Sequence, residues 1–313
     1  MECDALTMNP TPDPPDSSSP RVLCFGEILW DCLPHGNFLG GAPFNVAYHL
    51  HQLGAEALMV SAIGRDEFGR ETLARISARR LSREFVAGDA GWPTGTVNVR
   101  LDARGNASYV FADPAAWDRI PVTDALVTTA ATSQAIVFGS LALRHEFNRA
   151  SLDRLLAVRG PLKVFDVNLR PPYDDTTLVF ALARRADVLK LNDTELARLT
   201  GTKPDFLIEE KTLSRAARDL AHATACPSIC VTRGERGALW LLHGKLFTAV
   251  APKVEVRDTI GAGDAFTAAF TLGLADGVTA RDPQSLLARA CKLGAFIASC
   301  DGAQPDYHPG EIS

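Results

Sequence analysis

The sequence is poor in basic charge: 32 Lys and Arg stand against 37 Asp and Glu in 313 residues, a formal net charge of -5. A nucleic-acid surface needs clustered Lys and Arg against the phosphate backbone, so that class of partner is set aside first. Paired cysteines are also missing. The thiols at 3, 24, 32, 226, 230, 291 and 300 include no CxxC and no Cys/His spacing suited to zinc. A chain of this length needs no disulfide framework, and the expected setting is a reducing cytoplasm. No run of about 18 apolar residues occurs, so no membrane span is expected. Residues 1–20, "MECDALTMNPTPDPPDSSSP", hold neither Lys nor Arg nor an apolar run. They lack both parts of a secretory signal and read as a disordered tail. Two phosphate motifs are absent as well. There is no GxxxxGK followed by Ser or Thr and no GxGxxG, which removes the P-loop and the dinucleotide fingerprint.

What is there suits one large α/β domain over 21–313, with 46% of residues hydrophobic. From Arg21 onward, short apolar runs alternate with helical periodicity, the pattern of a parallel sheet flanked by helices. "RVLCFGEIL" reads as a first buried strand, "PFNVAYHLHQLG" as a helix closed by Gly54, and "ALMVSAIG" as the next strand. Two period-2 segments, "TGTVNVRLDA" and "ASYVFADP", break this rhythm at about 94–113 and read as a hairpin outside the main sheet, a lid or edge ribbon. Further strands are expected at "AIVFGS", "LKVFDVN", "DVLKLN" and "SICVTRG", with helices near 145–158, 176–185, 193–200 and 212–223. A second hairpin follows at "ALWLLHG" and "KLFTAV", and two last helices at 263–275 and 283–299.

The chemistry concentrates in "DTIGAGDAFTAAF", Asp258 to Phe270. Glycines and small residues at a helix start leave backbone N–H groups free, and the helix dipole favours an anion there. An acid in the same turn, Asp264, fits if it faces the attacking hydroxyl while the N–H groups hold the phosphoryl charge. Simple helix capping by Asp264, with Gly261 and Gly263 as packing glycines, explains an isolated loop equally well.

The loop is not isolated. "FGEILWD", "GGAPFNVAYHLHQLG", "IGRDEFG", "FDVNLR", "LNDTE", "VTRGERGA" and "DTIGAGDAF", in this order over about 21–308, resemble the ribokinase-like (PfkB) carbohydrate kinases, and the first two look most like the fructokinase branch. The resemblance implies a three-layer α/β/α sandwich with a small β lid. By similarity Asp264 is the catalytic base, with an anion hole from Gly261, Ala262 and Gly263. The sugar pocket would comprise Asp31, Gly40, Gly41 and Asn45, with Arg170 beyond a strand end and Tyr109 and Phe111 on the lid. Asn192 and Glu195 match the family's NxxE motif for Mg2+ and phosphates, with Mg2+ bound through water. Thr232, Gly234 and Gly237 resemble the nucleotide loop. Asp258, the Ile260 carbonyl and Gly302 lie where relatives bind K+. The final helix, "RACKLGAFIAS", lacks the Asn that some relatives place near adenine, so ATP follows from family habit and base preference stays open.

The implied activity is ATP-dependent phosphorylation of a primary hydroxyl on a small sugar, fructose to fructose 6-phosphate first. 2-Dehydro-3-deoxygluconate follows, because Arg170 suits a carboxylate, then ribose. A non-catalytic sugar-binding protein on the same fold is the reading from another class. The lids of such kinases often pair into dimers, and the edge strand "TVNVRL" suits either that homodimer or a monomer in which it stays exposed.

Overall fold

The computed structural model describes residues 19–89, 91–101, 107–277, 282–308 and 310. Most of the expected tail, and the "RGN" turn between the lid strands, lie outside them.

Nine strands form the main sheet in the order β13-β12-β11-β10-β9-β8-β1-β4-β5. They are β1 (Arg21–Phe25), β4 (Glu56–Gly64), β5 (Val86–Asp89), β8 (Ala135–Gly139), β9 (Leu162–Asp166), β10 (Val188–Asn192), β11 (Ser228–Thr232), β12 (Ala238–Leu242) and β13 (Lys245–Ala249). From β11 to β5 every pairing is parallel, whereas β12 and β13 add an antiparallel hairpin at one edge. Parallel pairing puts the carboxyl ends of β1, β9, β10 and β11 on one rim, where such sheets hold ligands.

Alternation along the central strands feeds two cores. Leu23 and Phe25 of β1 point into one, Val22 and Cys24 into the other. The first core is closed by α3 (Asp124–Ala131), α4 (Glu146–Leu156), α5 (Thr176–Ala183), α6 (Asp193–Thr200) and α7 (Glu210–Thr224). The second is closed by α1 (Ala42–Gln52), α2 (Glu67–Ala78), α8 (Ala262–Ala275) and α9 (Pro283–Ala298). The three-layer expectation therefore holds. Phe138 and Phe165, fully buried and stacked at 5.1 Å between ring centroids, sit at the middle of the first core; each such side chain contributes about 1.5–3 kcal/mol by leaving water.

A second sheet, order β3-β2-β6-β7, is built from β2 (Leu29–Leu33), β3 (Gly36–Gly40), β6 (Gly95–Leu101) and β7 (Ala107–Phe111). The ribbon β6–β7 leaves the main sheet, as the sequence suggests, but its companions β2 and β3 differ from expectation. "RVLCFGEIL" is not one strand. Gly26, at φ 153° and so close to Pro43 that a Cβ would approach its Cγ to 2.5 Å, ends β1. The chain then passes through buried Glu27 and Ile28 into β2.

Candidate active site

Helix α8 brings its amino end to the rim. Gly261 precedes it in the left-handed region, φ 80°, and a Cβ there would lie 2.7 Å from the Ala303 backbone, so only glycine fits. The same closeness holds loops 258–261 and 302–303 together. The N–H of Ala262 turns back to the Thr259 carbonyl at 3.3 Å. Among the described residues those of Gly261, Gly263 and Asp264 have no protein acceptor. Of the three N–H groups expected to form an anion hole, those of Gly261 and Gly263 are thus left without a protein acceptor among the described residues, and that of Ala262 is not.

Asp264 stands in the first turn of α8, partly buried. Its Oδ2 accepts from Asn45 Nδ2 at 2.7 Å, and among the described residues Oδ1 accepts no protein bond. Burial, reinforced by the charge of Asp166, pushes its pKa up to about 6, against the bond from Asn45 and the charges of Lys190 and Arg170. A carboxylate with that affinity and one free oxygen suits a base working near neutrality.

Below the loop lies a buried ion pair. Lys190 Nζ reaches both oxygens of Asp166 at 3.0 and 3.1 Å, and the Thr267 hydroxyl sits 2.8 Å from Asp166 Oδ2 and 2.9 Å from the Gly263 carbonyl. A Cβ on Gly263 would come within 3.4 Å of Lys190 Nζ. Burial works against the ammonium, but Asp166, Glu195 and Asp264 outweigh it and hold its pKa above the usual lysine range. The cation therefore underlies the helix terminus without being open to solvent.

The small sheet and α1 form the facing wall. Asp31 on β2 is partly buried, and burial raises its pKa against the charge of Arg170. A Cβ on Gly40 would stand 3.1 Å from Asp31 Oδ2, and one on Gly41, at φ 110°, would strike the Glu27 carbonyl at 2.4 Å. Both glycines thus have local reasons that require no ligand. Arg170, exposed beyond β9, donates to the Leu169 carbonyl at 3.1 Å and acts electrostatically on Glu27, Asp31 and Asp264 at once. Phe111 packs edge-on against Tyr173 at 6.0 Å, at the root of the ribbon beside Leu29, Val97 and Trp117. Tyr109 pairs in register with Val99.

On the nucleotide side, Asn192 and Glu195 form a capping box on α6. Asn192 Oδ1 accepts from the Glu195 N–H at 2.8 Å, while Glu195 accepts from the N–H groups of Leu169 and Asn192, both at 2.8 Å. Each Glu195 oxygen has one backbone donor, which leaves one lone pair per oxygen for water or a cation. Thr232 ends β11, with its hydroxyl 3.4 Å from the Leu191 carbonyl. Gly234 faces open space, but Gly237, at φ 80°, would drive a Cβ to 1.9 Å from the Ala249 carbonyl, so packing alone demands it. Asp258 Oδ1 accepts from the Ile260 N–H at 2.9 Å, and Gly302 lies across from that turn at φ 74°.

Four site residues were not singled out from sequence: Glu27, Asp166, Lys190 and Thr267. Two left a signal. Lys190 and Asp166 interrupt apolar strand runs in "VLKLN" and "VFDVN", and an internal strand can bury such charges only as partners. Glu27 is 2% exposed, and burial raises its pKa to about 7.

Comparison with known proteins converges on one family. The model of the pfkB family carbohydrate kinases matches residues 31–309. A fructokinase of Klebsiella pneumoniae is 30% identical over 90% of the chain and 94% of its own length. Fructokinase-2 of Solanum lycopersicum is 29% identical over 92% and 93%. Among solved structures, a Vibrio cholerae O395 fructokinase double mutant with fructose, ADP and potassium ion bound superposes with a TM-score of 0.78 at 25% identity, over 95% of this chain and 98% of that one. A Xylella fastidiosa fructokinase with bound ATP gives 0.77 at 24%, over 93% and 96%, and so bears on the fold.

Proposed function

Since the chain belongs to the pfkB family of carbohydrate kinases, we propose that it transfers the γ-phosphoryl group of ATP to the primary hydroxyl of fructose, giving fructose 6-phosphate and ADP. The observation that carries this reading is the free Oδ1 of Asp264, one turn from unpartnered N–H groups on the same helix end. The sugar oxygen attacks the γ-phosphorus, its proton passes to Asp264 Oδ1, and the bond to the bridging oxygen of ADP breaks. The N–H groups of Gly261 and Gly263 hold the charge on the phosphoryl oxygens, and Lys190 beneath them adds positive potential. Asp31 and Arg170 orient the sugar, with Gly40, Gly41 and Asn45 completing the pocket, and the sheet carrying Tyr109 and Phe111 keeps water from competing as acceptor.

When bound, Mg2+ neutralises phosphate charge; Glu195 and Asn192 would hold it through water. The loops of Asp258, Ile260 and Gly302 would take K+, and a related fructokinase has been solved with a potassium ion bound. Thr232, Gly234 and Gly237 border the nucleotide. We place the reaction in the cytoplasm, in line with free thiols at Cys24, Cys32, Cys226, Cys230, Cys291 and Cys300. No described helix is long and apolar enough to cross a membrane. Pairing of two copies through the small sheet is the assembly this reading favours.

The test is ADP release by purified protein with Mg2+ and K+, offered fructose, 2-dehydro-3-deoxygluconate, ribose or adenosine. Highest kcat/KM with fructose is expected. Preference for the sugar acid would reassign Arg170 to a carboxylate, and sugar binding without turnover would make the protein a binder.

A further inference from the structure

A line of side chains runs from α2 through the segment after α9 to the base. Arg79, at the end of α2, lies with its guanidinium 4.7 Å over the Tyr48 ring and donates to Gln304 Oε1. Gln304 Nε2 donates to Asn45 Oδ1 at 2.6 Å and to the Leu39 carbonyl at 3.1 Å. Asn45, 5% exposed, donates from Nδ2 to Asp264 Oδ2.

The direction of this line is not a matter of choice. A guanidinium can only donate and a backbone carbonyl can only accept, so Arg79 and Leu39 together fix which end of the Gln304 amide faces which neighbour. With Nε2 turned toward Asn45, the Asn45 oxygen must meet it and the Asn45 nitrogen must face Asp264. Reversing any amide would oppose two acceptors or two donors inside a site where an unmade bond is costly.

We propose that Gln304 is a positioning residue, holding the Asn45 amide with its nitrogen toward Asp264 so that Oδ1 of the base stays free for the sugar hydroxyl. The proposal rests on the reading of Asp264 as base, and it concerns a residue that touches neither reactant. Asn45 gives one of its two amide N–H groups to Asp264 and accepts from Gln304, so beside its place in the pocket it orients the base.

The experiment compares Gln304→Glu with the uncharged, near-isosteric Gln304→Met. A carboxylate at 304 still accepts from Arg79 but cannot donate to Asn45, so the Asn45 amide turns and sets its oxygen against Asp264. In Met the amide is released without added charge. The other charges facing Asp264 are Asp166 on β9, Lys190 on β10, and Arg170 and Glu27 on the loops after β9 and β1; both variants leave them in place. Two readouts are taken: the acid limb of kcat/KM for fructose, and the Asp264 carboxyl titration by carbon NMR, assigned against Asp264→Asn. We expect both to move upward, by about one pH unit in Gln304→Glu and less in Gln304→Met, with kcat reduced and KM little changed. Gln304→Asn, which keeps an amide one carbon shorter, should recover part of the shift.

Unmoved titration in Gln304→Met would overturn the proposal even if Gln304→Glu shifts, since charge alone would then suffice. Should Gln304→Glu fail to fold, Gln304→Met decides by itself. If the parent protein turns over no sugar, the function assigned above fails, yet the NMR titration still decides whether Gln304 orients the Asn45–Asp264 pair.

Discussion

At the scale of single residues, Asp264 has a double effect that one substitution separates. Asp264→Asn removes the base and should lower kcat by about 100- to 10,000-fold, with sugar affinity by calorimetry retained. In the parent enzyme, kcat/KM should fall tenfold per pH unit below about 6, the value to which burial raises this carboxyl. The same shift carries a stability sign. A carboxyl raised in the folded state favours folding below its unfolded pKa, and that contribution is lost as pH rises through about 6. Asp264→Asn should therefore gain more in Tm at pH 8 than at pH 4, measured by scanning calorimetry. Lys190 behaves otherwise. Lys190→Met leaves Asp166 buried without its partner and should cost about 3–5 kcal/mol in urea unfolding, a loss too large for a surface pair.

At the scale of elements, the chain's own patterning was legible where it was periodic. Helix α6 at 193–200, the closing pair α8 and α9, and the β12–β13 hairpin lie within a residue or two of the expected bounds. Elements that depend on distant neighbours were not. The strand expected in "RVLCFGEIL" runs on through Gly26 to Leu29, where β2 begins, and only the close approach of Pro43 shows why β1 must end at Phe25. β3 and β5 are short and partly exposed, so neither carries an apolar run. Helix α3 was missed although Thr123 caps it, accepting from Leu126 N–H at 3.2 Å; its Thr-rich sequence hides the period. Helix α1 also holds His49, fully buried between the Tyr307 hydroxyl and the Ala303 carbonyl, each 3.0 Å away. Burial lowers its pKa to about 4, so it stays neutral when folded. Its stabilising contribution is whole above the unfolded value near 6.5 and is lost as pH falls toward about 4, with a slope approaching about 1.4 kcal/mol per pH unit. The difference in unfolding free energy between parent and His49→Gln, measured in urea between pH 7 and 4, should show that slope, because the raised carboxyls of Asp264 and Glu27 act in the opposite sense in both proteins and cancel.

At the scale of the whole molecule, the two sheets are unequal partners. The large sheet is buried on both faces by nine helices among the described residues, whereas the small one rests on a modest cluster around Leu29, Val97 and Trp117. The small sheet should open at lower free energy. Hydrogen exchange should then slow in β2 and β6 when fructose and a non-hydrolysable ATP analogue are added, while β1, β8 and β9 change little. Equal slowing in both sheets would mean that ligands tighten the molecule as one body. The site itself was legible as motif but not as circuitry: "GAGDAF" marked Asp264, while nothing local linked it to Asn45, 219 positions earlier.

That span has a consequence for the protein as it is being made. Asn45 contacts Gln304 across 259 positions, and Arg79 contacts it across 225. A nascent chain emerging from the ribosome can pair β1 with β4 early, and can add β8 to β11 in order, before residue 304 has been synthesised. Until then the Asn45 amide lacks the contact that fixes its orientation, so a kinase still attached to its ribosome would hold a nearly complete sheet and a misoriented base. Competence would have to wait for residue 304.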